Sequence, residues 1–510
     1  MPGQPYPAIF ANRYRWLAGS VWPAGNATGI LRVMGDVYGS AKVRVYCRTP
    51  SCCPRFTDED RYPLAATAEA AGLRPCKDCR PYRLPQALAR GRGAPELVCR
   101  GVRLIADGVL DEATETSLAA RLGVSGRHLR RMFTTYVGVT PGVLARSCRA
   151  HFARRLLDDT GLSVTEVAFA AGYGSARQFN REFKRIFGDT PSQQRATSAL
   201  RAGWLGAGTG LTLRLWFTGP LDWEALTAFL AARAVPGVEQ VDGRVYRRTI
   251  MVDGDPGVLE LSPGGRDYLN LLVRLPRWET LMHVAAQARK IAGLDEDPAG
   301  PARWLAADPV IGPLLAARPG VRVPGCWDPF ETGVAAIIEQ QAAPPASRPV
   351  LQRLVAGLGR RVPEPGLSRL THAFPGPGVL ARAPAGLQAS GLTSAQARAV
   401  SSFASAVEQG VIRFDGSMTS GQLISSVAAV PGIAASTAEY LALRMGEPDA
   451  FPAGEPALRQ SLIQISGTPS PPPGHAWEPW RSWAAAHLWA ANLHSVPGQP
   501  GLEILRSQTA

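Results

Sequence analysis

Three things are scarce in this chain, and each scarcity closes off a class of protein. No run of about 18 apolar residues occurs, so the chain has no material for a membrane-spanning helix. Cysteine is sparse, with 8 in 510 residues. That excludes a disulfide-built secreted scaffold and points to a reducing cytoplasm, where clustered thiols more often hold metal. Histidine numbers only 7, the first being His128, so a metal site earlier in the chain has to be made from other ligands. No basic segment followed by an apolar core opens the sequence, so no signal peptide is expected. The expectation is a cytoplasmic protein with no membrane partner. With 45% hydrophobic residues, wholesale disorder is excluded as well.

What the chain has in excess is positive charge, and it is unevenly placed. The net charge is +14. Residues 1–90 carry 13 basic against 6 acidic side chains, residues 91–200 carry 16 against 10, and residues 201–510 carry 26 against 25. The first 200 residues therefore hold nearly all the excess, which points to a polyanion, foremost a nucleic acid.

A chain of 510 residues is long enough for three or four domains, and composition shifts mark where they meet. Residues 1–90 are rich in Cys, Pro and Arg, and the short linker Gly91–Pro95 follows. Residues 96–195 show helical periodicity, ended by a Gly/Ala-rich linker at 196–210. From Leu211 the strand patterns LTLRLWF, VYRRTIMV and VLELSP appear, with a helix from Asp222 to about Ala234 between the first two. Residues 211–300 thus read as a small α+β layer. Residues 303–495 are helical, with Pro/Gly breaks.

Cys47, Cys52, Cys53, Cys76 and Cys79 lie close together in the sequence. Cys76 and Cys79 form a clean Cys-x-x-Cys pair; the other pair is Cys47 with Cys52 or with Cys53. Two thiolate pairs separated by a loop can close a tetrahedral zinc site. Such a site makes one sulfur electron-rich, and Arg48, Arg74, Lys77 and Arg80 lie near in sequence to offset the charge. A purely structural zinc knuckle satisfies the same spacing. The stretch Tyr46–Cys52 (YCRTPSC), followed by Ala70–Pro81 (AAGLRPCKDCRP), resembles the N-terminal domain of the Ada alkylation-response proteins. The resemblance implies zinc on Cys47, Cys52, Cys76 and Cys79. It also makes Cys47 the acceptor of a methyl group taken irreversibly from a DNA methyl phosphotriester. Thr49 is an insertion relative to that family's pattern.

Residues 117–136 fit helix, Gly turn, helix, with Ser125 capping a second helix that offers Arg127, His128, Arg130 and Arg131. Residues 163–187 repeat the design. Ser163 and Glu166 have capping-box spacing, Gly172–Gly174 makes the turn, and Ser175 caps a helix carrying Arg177, Gln178, Arg181 and Lys184. These are residue types suited to phosphates and base edges. A long helix from Pro141 to Asp158 is expected to hold the two units together. Ala168–Ser175 (AFAAGYGS) and Phe183–Ser192 (FKRIFGDTPS) closely resemble the AraC-type DNA-binding domain. The partner implied is double-stranded promoter DNA, with RNA polymerase as a candidate second partner.

No Pro-Cys-His-Arg segment occurs, so the O6-methylguanine methyltransferase domain that some Ada proteins carry is not expected. In its place Leu423–Tyr440 (LISSVAAVPGIAASTAEY) reads as helix, Pro-Gly hairpin, helix, with Gly432 and Ala434 at the hairpin. Together with Ala450–Arg459 (AFPAGEPALR), Trp477–Trp489 and the α+β layer, it resembles the AlkA type of 3-methyladenine DNA glycosylase. That resemblance implies a helix-hairpin-helix whose amides bind a phosphate of alkylated DNA. It implies a pocket tryptophan at Trp489, a wedge at Gln341 in the loop Glu339–Pro345, and a catalytic carboxylate at Glu455. Glutamate here stands where that family has aspartate, and a misplacement of about 1 Å can cost roughly a hundredfold. No lysine lies within 431–440, so a Schiff-base lyase is not expected.

The expected fold class is multidomain: a small zinc domain, an all-α AraC-type double helix-turn-helix, an α+β layer and an all-α helix-hairpin-helix domain. The expected function is methyl phosphotriester sensing, transcription regulation and monofunctional excision of alkylated purines. The second reading is a DNA-binding regulator whose glycosylase half only binds damaged DNA.

Overall fold

The computed structural model describes residues 37–49, 52, 60–84, 95–199, 210–340, 344–362, 369–468 and 477–493. Cys53 and Gln341 lie outside them. The first unit is a four-stranded sheet of β1 (Val37–Ser40), β2 (Val45–Cys47), β3 (Asp60–Tyr62) and β4 (Arg74–Pro75), in the order β3-β1-β2-β4. Helix α1 (Ala65–Ala70) packs on it through Ala65 and Ala68 against Val37, Tyr46 and Leu73. Gly39 is required here: a Cβ on it would lie 2.3 Å from Leu73 Cδ1.

Eight helices follow: α2 (Glu96–Ala106), α3 (Val109–Glu112), α4 (Glu115–Arg121), α5 (Gly126–Tyr136), α6 (Pro141–Asp159), α7 (Val164–Ala170), α8 (Ala176–Phe187) and α9 (Pro191–Ala199). Local chemistry sets their starts. Ser125, Ser163 and Ser175 each accept the backbone N–H three residues on, at 3.2 Å, and Glu166 returns the bond to Ser163 N–H at 2.7 Å. Gly123 and Gly172, at φ +74° and +75°, supply the left-handed turn residues. Helix α6 is the buried scaffold between the two units. A ladder of Phe179, Phe183 and Phe187, with centroids 5.4 and 4.6 Å apart, fastens α8.

The sheet of the second half is fully antiparallel. It comprises β5 (Leu211–Trp216), β6 (Glu239–Asp242), β7 (Val245–Val252), β8 (Asp255–Pro263) and β9 (Tyr268–Arg274), in the order β5-β9-β8-β7-β6. Helix α10 (Trp223–Arg233) connects β5 to β6. Period-two alternation puts Leu213 and Leu215 of β5 opposite Leu271 and Leu269 of β9 on the buried face. The sequence patterns anticipate β5, β7, β8 and α10. They miss β9, although it fills the sheet interior, and the short polar edge strand β6.

The helical remainder consists of α11 (Leu281–Ile291), α12 (Ala299–Leu305), α13 (Ile311–Ala317), α14 (Pro329–Glu339) and α15 (Pro344–Leu358). A two-strand pair, β10 (Arg360–Arg361) with β11 (His372–Ala373), follows. Then come α16 (Pro377–Ala381), α17 (Pro384–Ala389), α18 (Ser394–Glu408), α19 (Ser420–Ala428), α20 (Ala435–Arg444), α21 (Pro456–Ser466) and α22 (Arg481–Leu493). Phe330, Val334, Leu354, Val400, Phe403 and Leu441 make a core of their own for α14–α20. Helix α22 returns to pack on α10 and α13.

A second core runs unbroken from Leu64 through the helix-turn-helix region to Trp489. Polar contacts reinforce it. Arg100 of α2 donates to Gly416 O and Ser417 O at 2.6 Å each, Lys290 of α11 pairs with Asp107 at 2.5 Å, and Arg83 lies 3.8 Å over the Trp216 ring. Among the described residues no helix is long and apolar enough to cross a membrane.

Candidate functional site

Three centres carry the chemistry. In the first, strand pairing does the positioning: Cys47 ends β2, and Cys76 follows β4 and donates its N–H to Tyr46 O at 2.9 Å. The sulfurs of Cys47, Cys52, Cys76 and Cys79 all lie within 4.8 Å of one another, a spread that fits one tetrahedral metal ion with thiolate ligands. Cys47 and Cys76 are buried, while Cys52 and Cys79 are half-buried. The Cys47 thiol, with help from Arg48 N–H at 3.4 Å, holds the Cys79 thiol down at about 6 despite its burial. Burial and the neighbouring Cys79 push Cys52 up to about 12.

A cluster of buried polar groups ties this centre to helix α6. Glu69 of α1 accepts from Tyr46 OH at 2.7 Å and from Ser147 Oγ of α6 at 2.6 Å, and lies 2.6 Å from His151 Nε2 of α6. Nothing in the sequence around Glu69 or His151 marks this pairing, because its members are far apart in the chain.

In the second centre, α5 and α8 present their N-terminal turns outward. Arg127, Arg130, Arg131, Ser175, Arg177 and Arg181 are exposed, and His128 and Gln178 are half-buried. Several of these already have partners: Arg130 pairs with Glu115 at 2.6 Å, Arg131 lies 3.0 Å from His128 Nδ1, and Gln178 Nε2 donates to Glu182 Oε1 at 3.4 Å. Lys184 and Arg185 extend the basic face of α8.

The third centre gathers around Glu455, the N-cap of α21. Its Oε2 accepts Leu458 N–H at 2.7 Å and Trp489 Nε1–H at 3.0 Å, and its Oε1 accepts Arg233 Nη2–H at 3.0 Å. Trp489 is buried against Phe229 at 5.2 Å and Tyr440 at 6.0 Å. The Arg233 guanidinium lies 4.1 Å over Phe229 and 5.4 Å over Trp489, so a cation already stacks in this aromatic cage. Beside it Glu339 is half-buried; desolvation raises its carboxyl to about 7 against the pull of Arg233. A small cavity of about 40 Å³ touches Arg233, Glu339, Tyr440 and Arg444.

At the hairpin between α19 and α20, Gly432 takes φ +88°. Ala434 N–H donates to Gln340 Oε1 at 2.7 Å, and Gln340 Nε2 donates to Gly432 O at 3.0 Å. The amide expected to meet a phosphate is thus held by a side chain that sequence reasoning passed over. Arg233 and Gln340 were missed for one reason: their partners are 222 and 94 residues away in the chain.

A four-cysteine unit, a paired helix-turn-helix of AraC type and a sheet-plus-helix-hairpin-helix body define a multidomain DNA-binding protein. A family model for the AlkA N-terminal domain matches residues 212–328, and one for a helix-turn-helix domain matches residues 118–197. A Mycobacterium tuberculosis protein described as a probable bifunctional transcriptional activator/DNA repair enzyme AlkA is 36% identical over 476 residues, covering 90% of this chain and 93% of its own. DNA-3-methyladenine glycosylase 2 of Escherichia coli is 31% identical over 276 residues, covering 53% of this chain and 94% of its own. The bifunctional transcriptional activator/DNA repair enzyme AdaA of Bacillus subtilis is 26% identical over 174 residues, covering 33% of this chain and 78% of its own. This chain belongs to the family of bifunctional transcriptional activator/DNA repair enzymes of AlkA type.

Proposed function

We propose that this protein senses alkylated DNA through its four-cysteine centre, regulates transcription through α5 and α8, and excises alkylated purines at Glu455. Its partners in this reading are promoter DNA, alkylated DNA and RNA polymerase. The observation that carries the excision reading is the carboxylate of Glu455, held by three donors at the rim of the cage of Phe229, Tyr440 and Trp489. An alkylated purine carries positive charge, so the bond to the sugar C1′ is already weak. The base is flipped from the stack. As that bond breaks, its electron pair leaves with the base, which departs neutral, and the carboxylate stabilises the cationic sugar. Water then adds at C1′ and releases a proton. Arg233 has to yield the ring faces for a purine to enter.

Cys47, Cys52, Cys76 and Cys79 would hold zinc. Zinc, when bound, keeps thiols deprotonated at neutral pH. The Cys47 sulfur is the proposed methyl acceptor. Its new S–CH3 bond forms as the methyl–oxygen bond of a phosphotriester breaks, and the phosphodiester leaves as an anion. The buried position of Cys47 means that this reaction needs the centre to open toward DNA.

One observation favours a second reading, in which the repair half binds lesions without excising them: Arg233 occupies the cage, and the cavity beside it, about 40 Å³, holds on the order of one water. The full chain is incubated with DNA containing 3-methyladenine and 7-methylguanine, and free base is quantified against Glu455→Gln. Release that falls by about a hundredfold or more in the variant supports excision. Tight binding without release supports the second reading.

A further inference from the structure

A cavity of about 410 Å³ lies where the helix-turn-helix region meets the repair half. Val102 of α2 and Phe152 of α6 line one side, and Met282 of α11, Trp327 and Trp480 line the other. Its size is that of a pocket for a small organic ligand, about 300–1,000 Å³.

One wall group is anomalous. Arg155 of α6 lines this cavity, and among the described residues its Nε has no hydrogen-bond partner. The face of Phe152, 5.2 Å away, lies against its guanidinium. The neighbouring cation Arg289 has its own acceptors, Asp295, Trp216 O and Leu294 O. The carboxylates that attract Arg155 at longer range are bonded elsewhere: Asp295 to Arg289 at 2.6 Å, and Asp159 to the backbone N–H of Arg214 at 3.2 Å. Desolvation, with the repulsion from Arg289, lowers Arg155 to about 10. Arg155 is half-buried, and a cation whose Nε is shut off from water with no bonded counter-charge is costly to keep. An anion arriving in the cavity would supply what the fold withholds.

We propose that this cavity binds a small amphipathic anion, its carboxylate or phosphate paired with Arg155 and its flat apolar body set against Met282 and Trp327. The cavity also borders Trp327 and Arg444, which line the small cavity beside Glu339. Its occupant therefore touches the regulator's scaffold helix and the back wall of the base pocket together.

The test is calorimetric titration of the full-length protein with 1-naphthoate and with adenosine 5′-monophosphate. Their uncharged counterparts, 1-naphthalenemethanol and adenosine, serve as controls. At least one anion binds at one per chain, about tenfold or more tighter than its uncharged counterpart, and loses about tenfold or more in Arg155→Met. Binding of the naphthoate identifies a carboxylate site; binding of the monophosphate identifies a phosphate site. Failure of both anions to bind, or binding unchanged in Arg155→Met, overturns the proposal. Should Arg155→Met fail to fold, Met282→Trp keeps the cation and fills the cavity. Loss of binding there supports the site, and full binding overturns it.

Discussion

Replacing Glu69 with leucine should undock the cysteine unit from the regulator while leaving each unit folded. The side chain is buried and takes three partners at 2.6–2.7 Å, one from β2 and two from α6. Leucine has similar bulk but strands Ser147 Oγ and leaves Tyr46 OH and His151 Nε2 only each other, 3.3 Å apart. Breaking a buried pair by removing one partner costs about 3–5 kcal/mol. At about 1.4 kcal/mol per factor of ten, the docked population falls roughly a hundredfold to a few thousandfold. Hydrogen exchange reads this directly: amides of α1 and of Ser147–His151 should exchange faster by that factor, while those of α8 and α20 stay unchanged. Unaltered exchange in α1 and α6 would refute the reasoning. Acid tests the same contact. Burial alone would push the Glu69 carboxyl up, and His151, Ser147 and Tyr46 more than reverse this, leaving it below its usual value. A lowered carboxyl stabilises the folded form fully above the unfolded value of about 4.3, and that stabilisation is lost as pH falls through the folded value. Docking should therefore weaken below about pH 4 in the native chain, and Glu69→Leu should lack that transition.

Trp489→Phe keeps the ring of the base cage and removes the donor to Glu455; base release should drop roughly tenfold, with a smaller change in KM. Chelation should strip the four-cysteine centre, making Cys47, Cys52, Cys76 and Cys79 reactive in a thiol titration and speeding exchange throughout β1–β4. Arg177→Ala should weaken DNA binding evenly across sequences and reduce the salt slope by about one, if Arg177 contacts a phosphate. Arg130→Ala should change it less, because Glu115 already holds that guanidinium.

Features governed by neighbours in the chain were the legible ones. Serine at 125, 163 and 175 bonds an amide three residues on, so the helix starts of the regulator follow from spacing alone. The same holds for Cys76 and Cys79 and for the strands with clean alternation. Strand β9 was missed although Leu269, Leu271 and Val273 alternate, because a short apolar run reads equally as strand or helix. The polar edge strand β6 offers a single apolar residue, Val241, too little to set a period. For the proposed base pocket the sequence pointed to Glu455 and Trp489, and the structure brings them within 3.0 Å. It could not reveal that Arg233 closes the cage, since α10 is an apolar helix whose terminal arginine meets its partner only after the whole body has folded.

The single core that runs from Leu64 to Trp489 gives the two halves a common fate. The regulator cannot be cut away without baring apolar side chains of α2 and α6, and the repair body cannot melt without loosening the helix-turn-helix region packed on it. A destabilising substitution in either half therefore reaches the other through this core, so that the helix-turn-helix region and the repair body stand or fall together.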